Sequence, residues 1–246
     1  MCRMIGVVFH SSFPYDALDA LRHVAEVGKV PDQGDEEDGH RDGWGMVSFR
    51  RGSPYYLGRS ARPIHIDPSF EQASKDISSL ERPNILVCHA RRGTQGATNL
   101  QNTHPFVTGG IVFAHNGSVM EYHPETVFRP RGDSDSARVF SRFVDEYSKG
   151  RDVRDAMVGL LADSVHGHEF TGLIFLVSDG KSLYGYREYG PGRDAEYYNL
   201  KLMRRDDRAI LFQQGDVQCS EDVEQVGNGE LVTIGLDLRV KREQLF

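Results

Sequence analysis

The chain is 246 residues long, with 39% hydrophobic and 26% charged residues, which is the composition of an ordinary folded globular protein. This length allows one sizeable hydrophobic core, and we expect a single domain covering residues 2–246 after removal of Met1. The formal net charge of -7 excludes a broad positive surface for nucleic acid or for an anionic membrane. Neither is therefore an expected partner.

The amino terminus reads MCRMIGVVFH, which carries little positive charge and no long apolar run. It predicts neither a signal peptide nor a membrane-spanning helix, so a cytoplasmic protein is expected. The three cysteines, Cys2, Cys88 and Cys219, lie at no disulfide or zinc-site spacing and are expected to be free thiols.

The predicted elements of the first half are strands and helices delimited by glycine, proline or polar residues. They are, in chain order, a strand at 3–10, a helix at 15–27, an acidic loop at 31–40, a strand after the glycine-rich segment 40–46, a helix at 70–80, and strands at 84–88 and 110–114.

The second half begins with helices and ends with strands. Its predicted elements are helices at 134–147 and 153–163, then strands at 172–177, 183–189, 197–203, 209–213 and 230–238. The turns between the late strands are too short for parallel crossovers, so the pattern predicts an α+β fold with antiparallel sheets. No GxGxxG or GxxxxGK[ST] motif follows a strand, and neither a nucleotide nor another cofactor is expected.

Cys2 follows the initiator methionine and is small enough for that methionine to be cleaved. Cleavage would place a thiol and a free α-amine on one residue. An α-amine titrates at about 7.7 to 8.0, so it can accept the thiol proton near neutral pH without a separate histidine. Taken alone, the Met-Cys pair is a weak signal, since most cysteines at this position have no catalytic role.

Polar segments at strand ends and turns strengthen the signal. They are HRDGWGM at 40–46, HARRGTQG at 89–96, NTHPF at 102–106, AHNGSV at 114–119 and GDSDSA at 132–137. Together with Met-Cys they resemble the class II glutamine amidotransferases, N-terminal-nucleophile (Ntn) hydrolases that start with cysteine. That family carries His-x-Arg-x-x-Thr-x-Gly, Asn-x-His-Pro, His-Asn-Gly and an acidic turn in this order.

The resemblance implies a four-layer αββα sandwich with two mainly antiparallel sheets. It also implies an amidohydrolase that forms a thioester between Cys2 and the side chain of glutamine and releases ammonia. The chain resembles the stand-alone members, some of which act with a separate ammonia-accepting synthase subunit while others cleave γ-glutamyl peptides or metabolites. A non-catalytic glutamine-binding regulator is a further alternative, but it would not need the complete set of catalytic candidates.

By residue, the resemblance assigns the nucleophile to Cys2 and the oxyanion hole to the side-chain amide of Asn116 and the backbone N–H of Gly117. Such a donor is worth on the order of 3 kcal/mol in the transition state. By itself, the Asn-Gly pair predicts a hairpin turn. Arg91 matches the arginine that binds the α-carboxylate of glutamine, which suits a guanidinium fork, and the adjacent Arg92 cannot enter the same pocket.

The remaining pocket residues follow from the same resemblance. Thr94 and Gln95 match neighbouring pocket positions, with Gln95 standing where some relatives have histidine. His104 is expected to brace the glutamine loop by hydrogen bonding. Asp135 matches the aspartate that pairs with the α-ammonium group, although Asp133 competes for this role and an acid here also suits a helix start.

Other features have plainer interpretations. The histidines lie at no recognised chelating interval, so no metal site is expected. Trp44 is expected to pack behind the active site. The segment LFQQGDVQCS at 211–220 departs from the Ser-Glu-Pro element of many stand-alone relatives, which puts any substrate contact from that element in doubt.

Overall fold

The structure is a computed structural model. It describes residues 2–28, 30, 39–163, 165–213 and 223–246. Most of the acidic loop expected at 31–40 lies outside these residues, as do Met1 and Cys219. No helix in the described ranges is long and apolar enough to cross a membrane.

The strands form two antiparallel sheets. Their bounds are β1 Arg3–Phe9, β2 Trp44–Arg50, β3 Ser53–Ser60, β4 Asn84–Ala90, β5 Phe106–Thr108, β6 Ile111–Asn116, β7 Gly172–Ser178, β8 Ser182–Tyr189, β9 Lys201–Arg205, β10 Arg208–Phe212, β11 Val223–Gln225, β12 Glu230–Gly235 and β13 Val240–Gln244. Sheet A has the order β11-β9-β10-β1-β4-β2-β3, and sheet B has the order β13-β12-β8-β7-β6-β5. The first strand of the chain therefore lies in the middle of sheet A.

Helices cover the outer face of each sheet. Their bounds are α1 Tyr15–Val27, α2 Pro68–Asp76, α3 Asp135–Tyr147 and α4 Val153–Asp163, with short 3-10 turns at Ile77–Ser79, Leu100–Asn102 and Val165–Gly167. Helices α1 and α2 pack with sheet A in one apolar cluster. Helices α3 and α4 pack with sheet B in another. A third cluster fills the space between the sheets.

The alternation of side chains along β1 explains the layers, because successive residues of a strand point to opposite faces. Ile5 and Val7 belong to the cluster shared with α1 and α2, whereas Met4 and Val8 belong to the cluster between the sheets. Both faces of β1 are buried, which is why the strand is apolar almost throughout. The four layers are thus helices, sheet A, sheet B and helices, and the expected αββα sandwich is confirmed.

Two late strands differ from the prediction. The strand expected at 197–203 begins only at Lys201, because Tyr197 and Tyr198 lie in the preceding turn with their rings buried. The strand expected at 230–238 ends at Gly235, and a second strand, β13, pairs with it to form a hairpin. At its turn, the Asp237 carboxylate accepts a hydrogen bond from the backbone N–H of Arg239 at 3.1 Å, a local contact that ends a strand.

Candidate active site

Cys2 lies directly before β1, where this strand meets the carboxyl end of β4 and Arg3 pairs with Ala90. Its backbone nitrogen donates a hydrogen bond to Oδ1 of Asn116, the last residue of β6, at 2.8 Å. This nitrogen is a peptide nitrogen while Met1 is attached, and it stands in for the α-amine that removal of Met1 would create. Ends of both sheets therefore meet at Cys2, which is 7% exposed.

The thiol of Cys2 contacts the backbone of Arg92. The Arg92 N–H points at Sγ at 3.4 Å, and Sγ lies 3.6 Å from the Arg92 carbonyl oxygen. Burial raises the pKa of the Cys2 thiol, and the Arg92 backbone contact only partly opposes this effect. Burial therefore favours the neutral thiol, which would need a nearby base to accept its proton.

Asn116 uses both ends of its side-chain amide. Oδ1 accepts from the Cys2 nitrogen, and Nδ2 donates to Oε1 of Gln213 at 3.1 Å. The second hydrogen of Nδ2 and the backbone N–H of Gly117 have no partner among the described residues. An oxyanion hole is built from free donors of this kind, so both groups are available for the role expected from the family resemblance.

Gly117 has a backbone conformation and a packing that exclude any side chain. Its φ is +141°, and a Cβ built on it would lie 1.7 Å from the carbonyl oxygen of Gly172. Only glycine adopts this region of φ readily. The turn after β6 therefore passes close against the start of β7, which fixes the direction of the Gly117 N–H.

Replacing Gly117 by alanine is expected to lower the free energy of unfolding by at least about 3 kcal/mol, because strain and a backbone clash add together. Gly109→Ala is the matched control, since Gly109 also has a positive φ of +55° but no atom within 4 Å of its added Cβ. That control is expected to cost about 1 kcal/mol. Urea unfolding of both variants measures the difference, and equal losses would contradict the packing argument.

Arg91 is a buried cation at the end of β4, 2% exposed. Its guanidinium donates to the carbonyl oxygens of Gln95 at 3.1 Å and Ala97 at 3.4 Å. No carboxylate pairs with it among the described residues. A buried charge without a counter-ion is costly, so this arginine is suited to bind an anionic ligand group.

Asp135 is the complementary case, a buried carboxylate in the first turn of α3 that is 3% exposed. One of its oxygens accepts from the Val119 N–H at 2.9 Å, and no basic side chain pairs with it within the described ranges. Burial is the main cause of the raised pKa of the Cys2 thiol, and Arg91 lowers this pKa while Asp135 raises it. Both charges therefore lie within electrostatic reach of the thiol.

Thr94 and Gln95 fasten the loop after β4 to the turn after β6. The Thr94 and Ser118 hydroxyls are hydrogen-bonded at 2.7 Å, and Nε2 of Gln95 donates to the Val119 carbonyl at 3.5 Å. Arg138 in α3 donates to Oε1 of Gln95 at 3.2 Å. In this structure, the two residues hold neighbouring segments of the site together.

Asp133 has a different environment from Asp135. It is exposed, and its carboxylate accepts from Nδ2 of Asn102 at 2.5 Å and from the Ala97 N–H at 3.3 Å. The Asn102 hydrogen bond is the main cause that lowers the pKa of Asp133. Asp133 thus joins two loops, and the geometry favours Asp135 as the carboxylate next to Cys2.

His104 does not make the hydrogen bond expected from the sequence. Both of its ring nitrogens are buried without a hydrogen-bond partner in the described part of the chain. The ring instead lies against His89 at 4.4 Å and Phe106 at 4.3 Å between centroids. His104 therefore supports the site by packing against these two rings. Burial holds the pKa of His104 well below its usual range.

Trp44 packs in the apolar cluster that sheet A shares with α1 and α2, with its ring against Phe70 at 5.1 Å and its Nε1–H donating to Asp67 at 3.1 Å. Sequence reasoning missed two residues that contact the site. The Asp42 carboxylate accepts from the Gly93 N–H at 2.7 Å, and Gln213 contacts Asn116. Asp42 lies in the polar segment 40–46, which is part of the family resemblance, whereas no sequence pattern pointed to Gln213.

No group of three or more histidine, cysteine, aspartate or glutamate side chains among the described residues is arranged to hold a metal ion. The site contains instead a thiol, a backbone nitrogen, two free N–H donors and two opposite buried charges.

The chain is similar to known proteins in sequence. A family model described as "Glutamine amidotransferases class-II" matches residues 1–222. An uncharacterized protein of Methanocaldococcus jannaschii is 24% identical over 94% of this chain and 68% of its own length. A protein of Haemophilus influenzae, described as a candidate glutamine amidotransferase, is 33% identical over 46% of this chain, but the match covers only 38% of that relative.

Solved structures share the fold. A glutamine aminotransferase class-II domain protein from Silicibacter pomeroyi superposes with a TM-score of 0.64 and 17% identity, covering 99% of both chains. Glutamine phosphoribosylpyrophosphate amidotransferase from Bacillus subtilis superposes with a TM-score of 0.62 and 15% identity, covering 100% of this chain but 49% of that one.

Proposed function

The chain belongs to the class II glutamine amidotransferases, and on this premise we propose that it hydrolyses the side-chain amide of glutamine through a thioester on Cys2. The observation that carries the proposal is that two opposite buried charges, Arg91 and Asp135, have no ion-pair partner among the described residues and lie within electrostatic reach of the thiol. A free α-amino acid is the ligand that neutralises both charges at once.

In the proposed complex, Arg91 binds the α-carboxylate of the substrate and Asp135 binds its α-ammonium group. The side-chain amide of the substrate then extends to Cys2, with its carbonyl oxygen at Gly117 and the free N–H of Asn116. Because Arg91 and Asp135 bind both charged groups on the α-carbon, they hold the reacting amide near the thiol. Binding of these groups thus orients the amide for attack.

The first half of the reaction transfers the thiol proton of Cys2 to its own α-amine, and Sγ attacks the side-chain carbonyl carbon. The resulting oxyanion is held by Asn116 and Gly117. The C–N bond breaks, and the nitrogen leaves as ammonia with the proton from the α-ammonium. Arg3 supports this base, because its guanidinium donates to the Cys2 carbonyl at 2.8 Å and a nearby positive charge disfavours a protonated amine.

The second half hydrolyses the thioester. The α-amine takes a proton from water, the water oxygen attacks the carbonyl carbon, and the same two donors hold the second oxyanion. The C–S bond breaks, Sγ regains the proton, and glutamate leaves. One base thus serves both halves, which is why the proposal requires removal of Met1.

Asp135→Asn is expected to raise the KM for glutamine about 100-fold, because it removes a buried carboxylate opposite the α-ammonium group and a charge-assisted contact of this kind is worth about 2 to 3 kcal/mol. The asparagine keeps an oxygen for the Val119 N–H, so the fold is preserved. Asp133→Asn is the matched control and is expected to change KM less than threefold. Steady-state kinetics on both variants would contradict the assignment if Asp133→Asn had the larger effect.

A mass measurement of the purified protein followed by assays with glutamine and with γ-glutamyl dipeptides tests the proposal. Loss of Met1 with release of ammonia from glutamine supports it, and stimulation by an added synthase subunit would identify an ammonia acceptor. Faster turnover of γ-glutamyl dipeptides would reassign the substrate to that class. Retained Met1 without turnover of any substrate would overturn catalysis and favour a glutamine-binding regulator.

A further inference from the structure

Gln213 joins the end of β10 to the site. It is 2% exposed, and its backbone N–H donates to the Met4 carbonyl at 3.1 Å, which extends the pairing of β10 with β1. Its side chain reaches Asn116, a residue 97 positions away in sequence. A buried amide side chain at this point is costly unless all of its polar atoms are engaged.

The hydrogen bonds around Gln213 fix the direction of a row of amides. The Asn199 carbonyl can only accept, and Nε2 of Gln213 donates to it at 3.0 Å. Oε1 of Gln213 therefore faces Asn116 and accepts from its Nδ2 at 3.1 Å. This turns Oδ1 of Asn116 toward the Cys2 nitrogen, which donates at 2.8 Å. Each orientation follows from the one before it, because donors must face acceptors.

We propose that Gln213 is a positioning residue that keeps the Asn116 amide in its catalytic orientation. This inference rests on the proposed function, in which Cys2 is the amino-terminal nucleophile. With Oδ1 toward the amine, Asn116 accepts one N–H of Cys2 and leaves the nitrogen lone pair for the thiol proton. The same orientation presents the second Nδ2 hydrogen to the oxyanion.

A reversed Asn116 amide would lose both functions. Nδ2 would then face the amine, where two donors oppose each other, and Oδ1 would face the oxyanion, where two negative oxygens repel. The side chain of Asn116 can reverse by rotation about its terminal bond, so its orientation depends on its partners. Gln213 contacts the Asn116 amide on the side away from Cys2. Its Oε1 can only accept, so it holds Nδ2 of Asn116 on that side.

Gln213→Met tests the proposal, because methionine has a similar length and shape but offers no amide. We expect kcat to fall 10- to 100-fold while KM changes less than threefold, since Arg91 and Asp135 still bind the α-groups of the substrate. Gln225→Met is the matched control. Gln225 donates to backbone carbonyls of Leu200 and Val226 away from Cys2, and its replacement is expected to leave kcat unchanged.

The pKa of the Cys2 amine in Gln213→Met gives a readout that a purely structural role would not move. If the Asn116 amide reverses in this variant, Oδ1 no longer accepts from the amine, which disfavours the protonated amine and lowers its pKa. We expect the acid limb of the kcat/KM profile to move to lower pH. Nuclear magnetic resonance with 15N-labelled cysteine follows the same amine directly, since Cys2 alone would carry an amino-terminal nitrogen after removal of Met1.

The two measurements separate the proposals. An active wild type with an unchanged amine pKa in Gln213→Met, or with kcat within twofold in this variant, overturns the positioning role. An inactive wild type whose amine titrates, with a lowered pKa in Gln213→Met, supports the positioning role and overturns glutamine hydrolysis. A wild type that shows no titrating amine overturns both, because Cys2 would then not be amino-terminal.

Discussion

Replacement of Cys2 by alanine is expected to lower turnover of glutamine at least 10,000-fold, which is on the order of the loss seen when a nucleophile is removed from a hydrolase that works by covalent catalysis. Alanine keeps the α-amine and the hydrogen bond to Asn116, so only the attacking sulfur is lost. The fold should remain, because Cys2 precedes β1 and does not belong to the apolar clusters. Release of ammonia measures activity, and circular dichroism measures folding.

Cys88→Ala is the matched control for this substitution. Cys88 lies fully buried in β4 within the cluster shared with α1 and α2, and burial raises the pKa of its thiol above the ordinary value. Its loss removes a small packing contact and no reacting group, so turnover should stay within threefold while stability falls slightly. Full activity in Cys2→Ala, or abolished activity in Cys88→Ala with an intact fold, would remove Cys2 from the mechanism.

Stability is expected to fall steeply as the pH drops from 7.5 to 5.5. His40, His89 and His104 are fully buried, and burial lowers their pKa values well below 6.5, to about 3 for His89. Below pH 6.5 the unfolded chain binds protons that the folded chain cannot, so acid favours unfolding. Each histidine then costs about 1.4 kcal/mol at pH 5.5, or about 4 kcal/mol for the three.

A loss of about 4 kcal/mol is a large part of the stability of an ordinary domain, which is about 5 to 15 kcal/mol. Urea unfolding at a series of pH values measures it. His104→Phe keeps the ring between His89 and Phe106 and removes one titrating group, so this variant should lose about 1.4 kcal/mol less over the same range. A flat stability between pH 7.5 and 5.5 would show that the histidines titrate normally.

The sequence predicted most clearly those helices and strands whose apolar residues recur at regular spacing over a short stretch of chain. Helix α1 has the expected bounds, 15–27, because its apolar residues recur at helical spacing and Gly28 follows. Strand β3 was missed, since its sequence SPYYLGRS is polar, contains proline and lies at the edge of sheet A. No residue of β3 is fully buried, so neither face of the strand required the apolar side chains that make a strand recognisable.

The sequence predicted those site residues that belong to recognisable motifs. Family resemblance pointed to Cys2, Asn116 and Asp135, and the fold places Asn116 in contact with Cys2 and Asp135 within electrostatic reach of its thiol. The interaction of Gln213 with Asn116 could not be predicted, because it depends on the register of β10 beside β1. The behaviour of His104 also depends on tertiary packing, since only the neighbouring rings determine whether it stacks or donates.

The central place of β1 in sheet A has a consequence for the order of synthesis and folding. Cys2 precedes β1, yet β1 pairs on one side with β10, where Ile5 lies opposite Phe212. Contacts between such distant parts of a chain form slowly and only after the intervening loops close. A nascent chain that has not reached β10 has one edge of β1 unpaired, so the strand pairing next to Cys2 is complete only after β10 has been added.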